Sequence, residues 1–119
     1  MSNGENAFGV KYSRITFLSY VLRSHPNIVR FERDHDILFR LDRRNGDKLN
    51  LVCIDDYVCG LTRVLEVLKS FPDVNFIFIG GRWNSYTSEA KEYCKEHGIG
   101  LANIKHLNQD LAKKRFWDD

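Results

Sequence analysis

Residues 36–54 decide the fold, and they read DILFRLDRRNGDKLNLVCI. Within them, residues 36–42 alternate apolar and polar side chains, which is the period-2 pattern of a half-buried β-strand. Asn45-Gly46 follows as a strong hairpin signal, because a type I′ turn requires positive φ at both central residues. Residues 49–54 are nearly continuous in apolar side chains, which predicts a central strand covered on both faces.

Further elements are predicted on both sides of this hairpin. The apolar periodicity indicates a helix at 11–24, a strand at 28–33, a helix after Asp55-Asp56 that ends at 70–73, a strand at 74–79, a helix after Thr87, a strand at 99–104 and a short helix containing Leu107 and Leu111. Asp55-Asp56 is expected to close the preceding strand and to cap the helix that follows it. Thr87 is expected to cap the third helix through its side-chain oxygen.

This order of elements predicts an α/β fold. The early hairpin is antiparallel, whereas the later strand–helix–strand units require parallel crossovers, so a mixed central sheet flanked by helices is expected. We expect one domain over residues 1–119, with residues 1–10 as a flexible arm and residues 112–119 as a tail.

The composition excludes several classes of protein. Hydrophobic residues make up 43% of the 119 residues and charged residues 29%, so a packed core is expected rather than a disordered chain. The net charge of +2 is lower than that of a dedicated nucleic-acid module. No apolar segment is long enough to span a bilayer, and the three cysteines have no metal-binding spacing. These features favour a cytoplasmic protein with reduced thiols and no membrane partner.

Three segments in the second half of the chain carry a more specific pattern. They read FIFIGG at 76–81, TSEAKEYC at 87–94 and GIGL at 98–101. This series of apolar strand, capped helix and short strand resembles Mrr-like restriction endonuclease domains. Together with the preceding hairpin, it resembles the αβββαβ core of the restriction-endonuclease-like, or PD-(D/E)xK, superfamily. The resemblance extends loosely over residues 28–111.

The resemblance implies a Mg²⁺-dependent nuclease site at one end of the hairpin. In that family, one acidic residue on the first hairpin strand and a (D/E)-x-K on the next bring two carboxylates and a lysine together around the metal. Asp36 matches the first position, and Cys53-Ile54-Asp55 falls on the other two. This sequence therefore has a cysteine in place of a carboxylate, and an aspartate in place of the lysine. Thiols are poor ligands for Mg²⁺.

Two interpretations of these acidic residues remain open at this stage. Asp36 and Asp55 could serve as catalytic and metal-binding residues, with Asp56, Glu32 or Asp34 supplying further oxygens. Alternatively, Asp55 and Asp56 only end the strand and cap the next helix.

Two segments are candidate binding surfaces. One is the arginine-rich hairpin, whose basic side chains near the turn could contact phosphates and comprise Arg40, Arg43 and Arg44. The other is the loop between the end of a buried strand and the start of a helix, where ligands bind in open α/β sheets. This loop contributes Arg82, Trp83, Asn84 and Tyr86.

The leading functional prediction is a nuclease-like domain with little or no catalysis. It would bind nucleic acid, a protein partner or a second copy of itself through the hairpin and the loop. The first alternative is a Mg²⁺-dependent endonuclease that uses Asp36 and Asp55. The second is a nucleotide- or phosphate-binding module with its ligand at Gly80-Gly81, for which an all-parallel sheet is expected.

Overall fold

The computed structural model describes residues 6–34, 36–81 and 84–118. Its elements in chain order are α1 (Tyr12–Ser24), β1 (Ile28–Asp34), β2 (Leu38–Arg43), β3 (Lys48–Ile54), β4 (Val58–Cys59), α2 (Leu61–Ser70), β5 (Phe76–Ile79), β6 (Ser85–Tyr86), α3 (Ser88–Glu96), β7 (Gly100–Asn103) and α4 (Leu107–Ala112). The predicted order of long helices and strands is confirmed.

The central sheet has five strands in the order β1-β2-β3-β5-β7. The first three form an antiparallel meander, in which Phe31 lies opposite Leu41 and Leu41 lies opposite Leu49. β3, β5 and β7 are parallel. The sheet is therefore mixed, as predicted, and it is not the all-parallel sheet expected for the nucleotide-binding alternative.

The two faces of the hairpin part of the sheet have different environments. Arg33 of β1 contacts the Tyr12 ring of α1, and Arg43 of β2 donates to carbonyl groups at the end of α4. Arg33 lies opposite Phe39, and Arg43 is four residues after Phe39 on the same strand, so the three side chains share one face of the sheet. α1 and α4 therefore cover the face that carries Phe39. The opposite face carries Arg40, which borders a small concavity beside the end of α2.

The core lies around the parallel strands. All four residues of β5 are fully buried, as are residues 51–54 of β3. This burial confirms that both strands are central and covered on both faces. On the neighbouring strand β7, position 100 requires glycine, because a Cβ there would overlap the Phe76 ring and lie 3.1 Å from the Phe116 ring.

Several local features differ from the sequence expectations. β2 begins at Leu38, so Asp36 lies in the preceding turn rather than in the strand. The capping role expected for Asp55-Asp56 is wrong, because α2 begins only after Gly60 and has no side-chain cap. The intervening residues form β4, which pairs in parallel with β6 as a separate two-stranded sheet. Neither short strand was predicted.

Both ends of the described chain pack against the domain. Asn6 binds the backbone of Val10, and Val10 is fully buried, so residues 6–10 do not form a loose arm. At the other end, the tail is held by Phe116, which is 5% exposed and packs against Phe76 with 5.9 Å between ring centroids. Among the described helices, none is both long enough and apolar enough to cross a bilayer.

Candidate functional site

The carboxyl ends of β3 and β5 meet at one edge of the sheet. β3 ends at Ile54 and β5 at Ile79, and the Gly80 N–H donates to the Ile54 carbonyl at 2.7 Å. Asp55 follows directly, and its side chain is mostly shielded from solvent. Its Oδ1 accepts from Arg14 Nε of α1 at 3.2 Å and from Asn84 Nδ2 at 3.0 Å. Asp55 therefore joins the start of α1 to the loop after β5.

Asn84 closes this loop onto the strand ends. Its Nδ2 also donates to the Gly80 carbonyl, so one amide group bridges Gly80 and Asp55. Gly81 has a φ of +101°, and a Cβ at this position would lie 2.5 Å from the Asn84 amide nitrogen. Glycine is required here both for the left-handed backbone and for the close approach of Asn84.

Asp36 is the other candidate carboxylate, and it is 3% exposed. Its Oδ1 accepts from Arg33 Nη1 at 3.1 Å, and its Oδ2 accepts from Asn6 Nδ2 at 2.8 Å. The Arg33 guanidinium also lies over the Tyr12 ring, 5.7 Å from the centroid. The Asp36 backbone has a φ of +54°, a region that aspartate tolerates better than most residues. Asp36 thus connects residue 6 to the β1–β2 turn.

Asp36 and Asp55 lie at the same end of the β2–β3 hairpin. The Cys53 N–H donates to the Ile37 carbonyl at 2.9 Å, which places residue 36 next to the end of β3. Each carboxylate nevertheless has its own arginine, Arg33 or Arg14. Asp56 has a third, Arg63, at 2.7 Å. The negative charge at this end of the sheet is therefore balanced within the chain.

The donor set does not fit Mg²⁺. No group of three histidine, cysteine or acidic side chains suited to a metal ion occurs among residues 6–34, 36–81 and 84–118. Cys53, which the sequence resemblance matched to the second carboxylate of the PD-(D/E)xK motif, is fully buried. Burial, together with the charge of Asp55, raises the pKa of the Cys53 thiol to about 12, so the sulfur stays protonated at neutral pH. Mg²⁺ requires several hard oxygen ligands, which this arrangement does not offer.

The basic residues of the hairpin are engaged by acidic residues or carbonyls of the same chain. Arg40 binds Asp34 and Asn50 at 3.1 and 3.2 Å. Arg44 is exposed and donates to the Pro26 carbonyl at 3.1 Å. Asp34 thus offsets the charge of Arg40, whereas the partner given for Arg44 is a neutral carbonyl.

Arg43 is not the surface residue that the sequence predicted. It is 4% exposed and forms a double ion pair with Asp47, at 2.6 Å from Nε and 2.5 Å from Nη2. The same guanidinium donates to the carbonyls of Leu111, Lys113 and Lys114. Arg43 therefore attaches the hairpin to the C-terminal segment.

The two predicted binding segments lie far apart. Arg43 and Arg44 are at the turn that precedes β3, whereas Asn84 lies where β3 ends. A strand of seven residues spans roughly 20 Å at about 3.3 Å per residue. The hairpin turn and the loop therefore do not form one surface.

The loop after β5 is bordered by exposed apolar side chains. Tyr57 is 72% exposed and Val58 is 50% exposed. Both are tied to the far side of the loop, since the Ser85 N–H donates to the Tyr57 carbonyl at 2.9 Å and Val58 pairs with Ser85. Tyr86 is half-buried, with the Lys91 ammonium 5.6 Å from its ring centroid. The predictions for Arg82 and Trp83 fall outside the described residues.

Arg14, Arg33 and Asn6 contribute to this edge of the sheet, but the sequence did not identify them. Arg33 stands three residues before Asp36, a spacing that could have suggested the pair. Arg14 and Asn6 had no such signal, because their aspartate partners are 41 and 30 residues away.

We compared the chain with protein families, with curated proteins and with solved structures, and found no match in any of the three.

Proposed function

We propose that this protein is a binding domain of restriction-endonuclease-like architecture that does not cleave nucleic acid. The antiparallel hairpin followed by parallel strand–helix–strand units supports this architecture, since it is the arrangement that the family resemblance implies. The main support for the absence of cleavage is the pairing of Asp36 with Arg33 and of Asp55 with Arg14. A guanidinium beside each carboxylate supplies the positive charge that a metal would otherwise supply.

The chemistry at position 53 supports the same proposal. A buried, protonated thiol cannot replace the carboxylate of the family motif as a ligand for a hard cation. Asp55 cannot replace the lysine of that motif either, because an ionised carboxylate carries the opposite charge and has no proton to donate.

We further propose that the partner is a protein and that it contacts the loop edge, which we define as Tyr57, Val58 and residues 84–86. Tyr57 is an exposed aromatic residue directly before β4, and exposed aromatic side chains are typical anchors of protein interfaces. The alternative partner is a nucleic acid, which requires basic groups available for phosphates. Several basic residues of the hairpin are instead paired with acidic residues of their own chain, including Arg40 with Asp34 and Lys48 with Asp42. Arg44 donates to the Pro26 carbonyl.

The test of catalysis uses plasmid DNA, single-stranded DNA and RNA with Mg²⁺ or Mn²⁺. We expect no cleavage above the level of the Asp36→Ala variant, because neither carboxylate is available to a metal. Cleavage that requires the divalent ion and is lost in both Asp36→Ala and Asp55→Ala would overturn the proposal.

The test of the partner places a photo-crosslinking amino acid at Tyr57, and in a matched control at Lys69 on the far end of α2. We expect a defined protein adduct from position 57 alone, which Val58→Asp abolishes. Fluorescence anisotropy with labelled DNA and RNA examines the other partner class. Tight binding that weakens steeply with salt would contradict a protein partner.

A further inference from the structure

The outer edge of β1 is available for strand pairing. β1 is the terminal strand of the five-stranded sheet, and within the described residues it pairs only with β2. It is seven residues long, and Val29 and Arg30 are among its exposed positions. Its register with β2 shifts between Ile28 and Arg30, so the regular part of the edge is residues 30–34. An edge strand of this length presents backbone donors and acceptors to another strand.

The hydrogen-bond pattern shows which backbone groups of β1 point outward. The Arg43 N–H donates to Asp47 and the Cys53 N–H donates to Ile37, so the odd-numbered residues of β2 bond to β3. In an antiparallel ladder the bonded pairs alternate. The even-numbered residues of β2 therefore bond to β1, at even-numbered positions such as Arg30 and Glu32. The N–H and C=O groups of Phe31 consequently point away from β2.

The charge pattern of β1 is complementary to itself about Phe31. If two copies pair antiparallel with Phe31 opposite Phe31, Arg30 of each copy lies opposite Glu32 of the other. A register one hydrogen-bonded step away, centred on Val29, does not bring opposite charges together. The other, centred on Arg33, places Arg33 opposite Arg33. A register centred on Glu32 pairs Arg30 with Asp34 twice, but it also places Glu32 opposite Glu32. The register centred on Phe31 pairs opposite charges twice and opposes no like charges.

This register also continues a row of alternating charge that already crosses the sheet. Lys48 on β3 binds Asp42 on β2 at 2.9 Å, and Asp42 binds Arg30 on β1 at 3.0 Å. Arg30 ends the row with its side chain 79% exposed. Glu32 of a second copy would come next, and Arg40 would follow because it lies opposite Glu32 in the β1–β2 register.

We infer that β1 is the interface of a homodimer in which two copies pair antiparallel about Phe31. The paired strands join the two sheets into one, and each Phe31 contributes both its backbone groups to the other copy. Arg30 and Glu32 fix the register through two equivalent ion pairs. The apolar side chains at this edge, Val29 at 62% exposure and Tyr12 at 43%, are partly covered in the dimer. Such an interface has two-fold symmetry and is closed, so it does not extend into a fibre.

The experiment exchanges charges between the two copies. The Arg30→Glu variant places two negative charges opposite each other at both sites, and the Glu32→Arg variant places two positive charges there. We expect the native chain to dimerise in sedimentation equilibrium over a concentration series, and each variant to be monomeric. Equal amounts of the two variants should form a mixed dimer, because every opposing pair is again of opposite sign.

A second measurement fixes the register and does not depend on charge. Residues 30 and 32 form a non-hydrogen-bonded pair across the two-fold axis, where Cα atoms are about 4.5 Å apart, close enough for a disulfide. A mixture of Arg30→Cys and Glu32→Cys should form disulfide-linked dimers under oxidation. Either variant alone should crosslink far less, as should the matched control Lys48→Cys, whose side chain is 81% exposed on the same face.

Two outcomes would overturn the inference. One is a native chain that stays monomeric at every concentration. The other is a dimer that both charge variants retain and that shows no preference for the mixed cysteine pair. Circular dichroism of each variant establishes that the fold is intact, and a failure of dimerisation leaves the proposed binding function at the loop edge unaffected.

Discussion

At the residue scale, the charged side chains near the candidate site form ion pairs and hydrogen bonds with one another. Asp36, Asp55 and Asp56 each accept from an arginine, and Arg43 is satisfied by Asp47 and three carbonyls. No buried side-chain nitrogen or oxygen among the described residues lacks a hydrogen-bond partner. Acidic residues that resemble a catalytic set in sequence therefore act as structural links in the fold.

The three thiols give a prediction at this scale. Burial raises the pKa of Cys53 and of Cys59 to about 12 and that of Cys94 to about 11, from 9.0. The unfolded chain ionises first as pH rises, so the folded state binds more protons between about pH 9 and 12 and loses stability there. We expect the free energy of unfolding to fall by up to about 1.4 kcal/mol per thiol for each pH unit.

Urea unfolding at a series of pH values between about 8 and 10 measures this loss, and a variant with all three cysteines replaced by alanine is the control. Its stability should fall less steeply with pH, because it lacks the three buried thiols. Equal slopes for the two proteins would show that the thiols do not contribute.

At the element scale, the sequence predicted the helices, strands and turns that depend on residues close together in the chain. α1 begins within one residue of its predicted start and ends at the predicted residue, and the Asn45-Gly46 turn joins β2 and β3. The turn is not of the predicted type I′, because Gly46 has a positive φ of +94° but Asn45 does not. The strands β4 and β6 escaped prediction because each has two residues and each is stabilised by the other, across a distance in sequence. The expectation that Asp55-Asp56 caps α2 is wrong, since Asp55 accepts a hydrogen bond from Arg14 instead.

The N-cap of α3, Thr87, gives a testable prediction at the element scale. Its side-chain oxygen accepts from the Ala90 N–H at 3.1 Å and so satisfies one amide at the start of α3, as the sequence predicted. Thr87→Ala should lower the free energy of unfolding by about 1 kcal/mol, because that amide loses its partner. Thr87→Ser keeps the oxygen and should stay close to the native protein in urea unfolding. Similar losses in both variants would assign the effect to the methyl group.

At the scale of the whole molecule, the candidate site could be predicted only in part. The position of Asp36 and Asp55 at the same end of the β2–β3 hairpin follows from the hairpin register, which the sequence indicates. Their separate pairing does not, because Arg14 lies 41 residues from Asp55. The burial of Arg43 was equally hidden, since its carbonyl partners are 68 to 71 residues away.

Phe116 gives the prediction for the whole molecule. Its ring packs near Phe76 and lies 5.3 Å from the Arg43 guanidinium carbon, so it seals the C-terminal segment onto the sheet. Phe116→Ala should cost roughly 3–5 kcal/mol, as for other buried phenylalanines. Thermal and urea unfolding measure the loss, and Lys114→Ala is the matched control with an exposed side chain. A loss below about 1 kcal/mol would mean that the segment docks without this ring.

The attachment of Arg43 to residues 111–114 also bears on synthesis at the ribosome. The chain emerges at roughly 5–20 residues per second, so the hairpin is exposed for several seconds before its C-terminal partners leave the exit tunnel. During that interval Phe76 lacks the ring that covers it, and the Arg43 guanidinium remains hydrated. The contacts of the hairpin with residues 111–114 thus form only after those residues have emerged, and until then the nascent chain exposes groups that the folded protein buries.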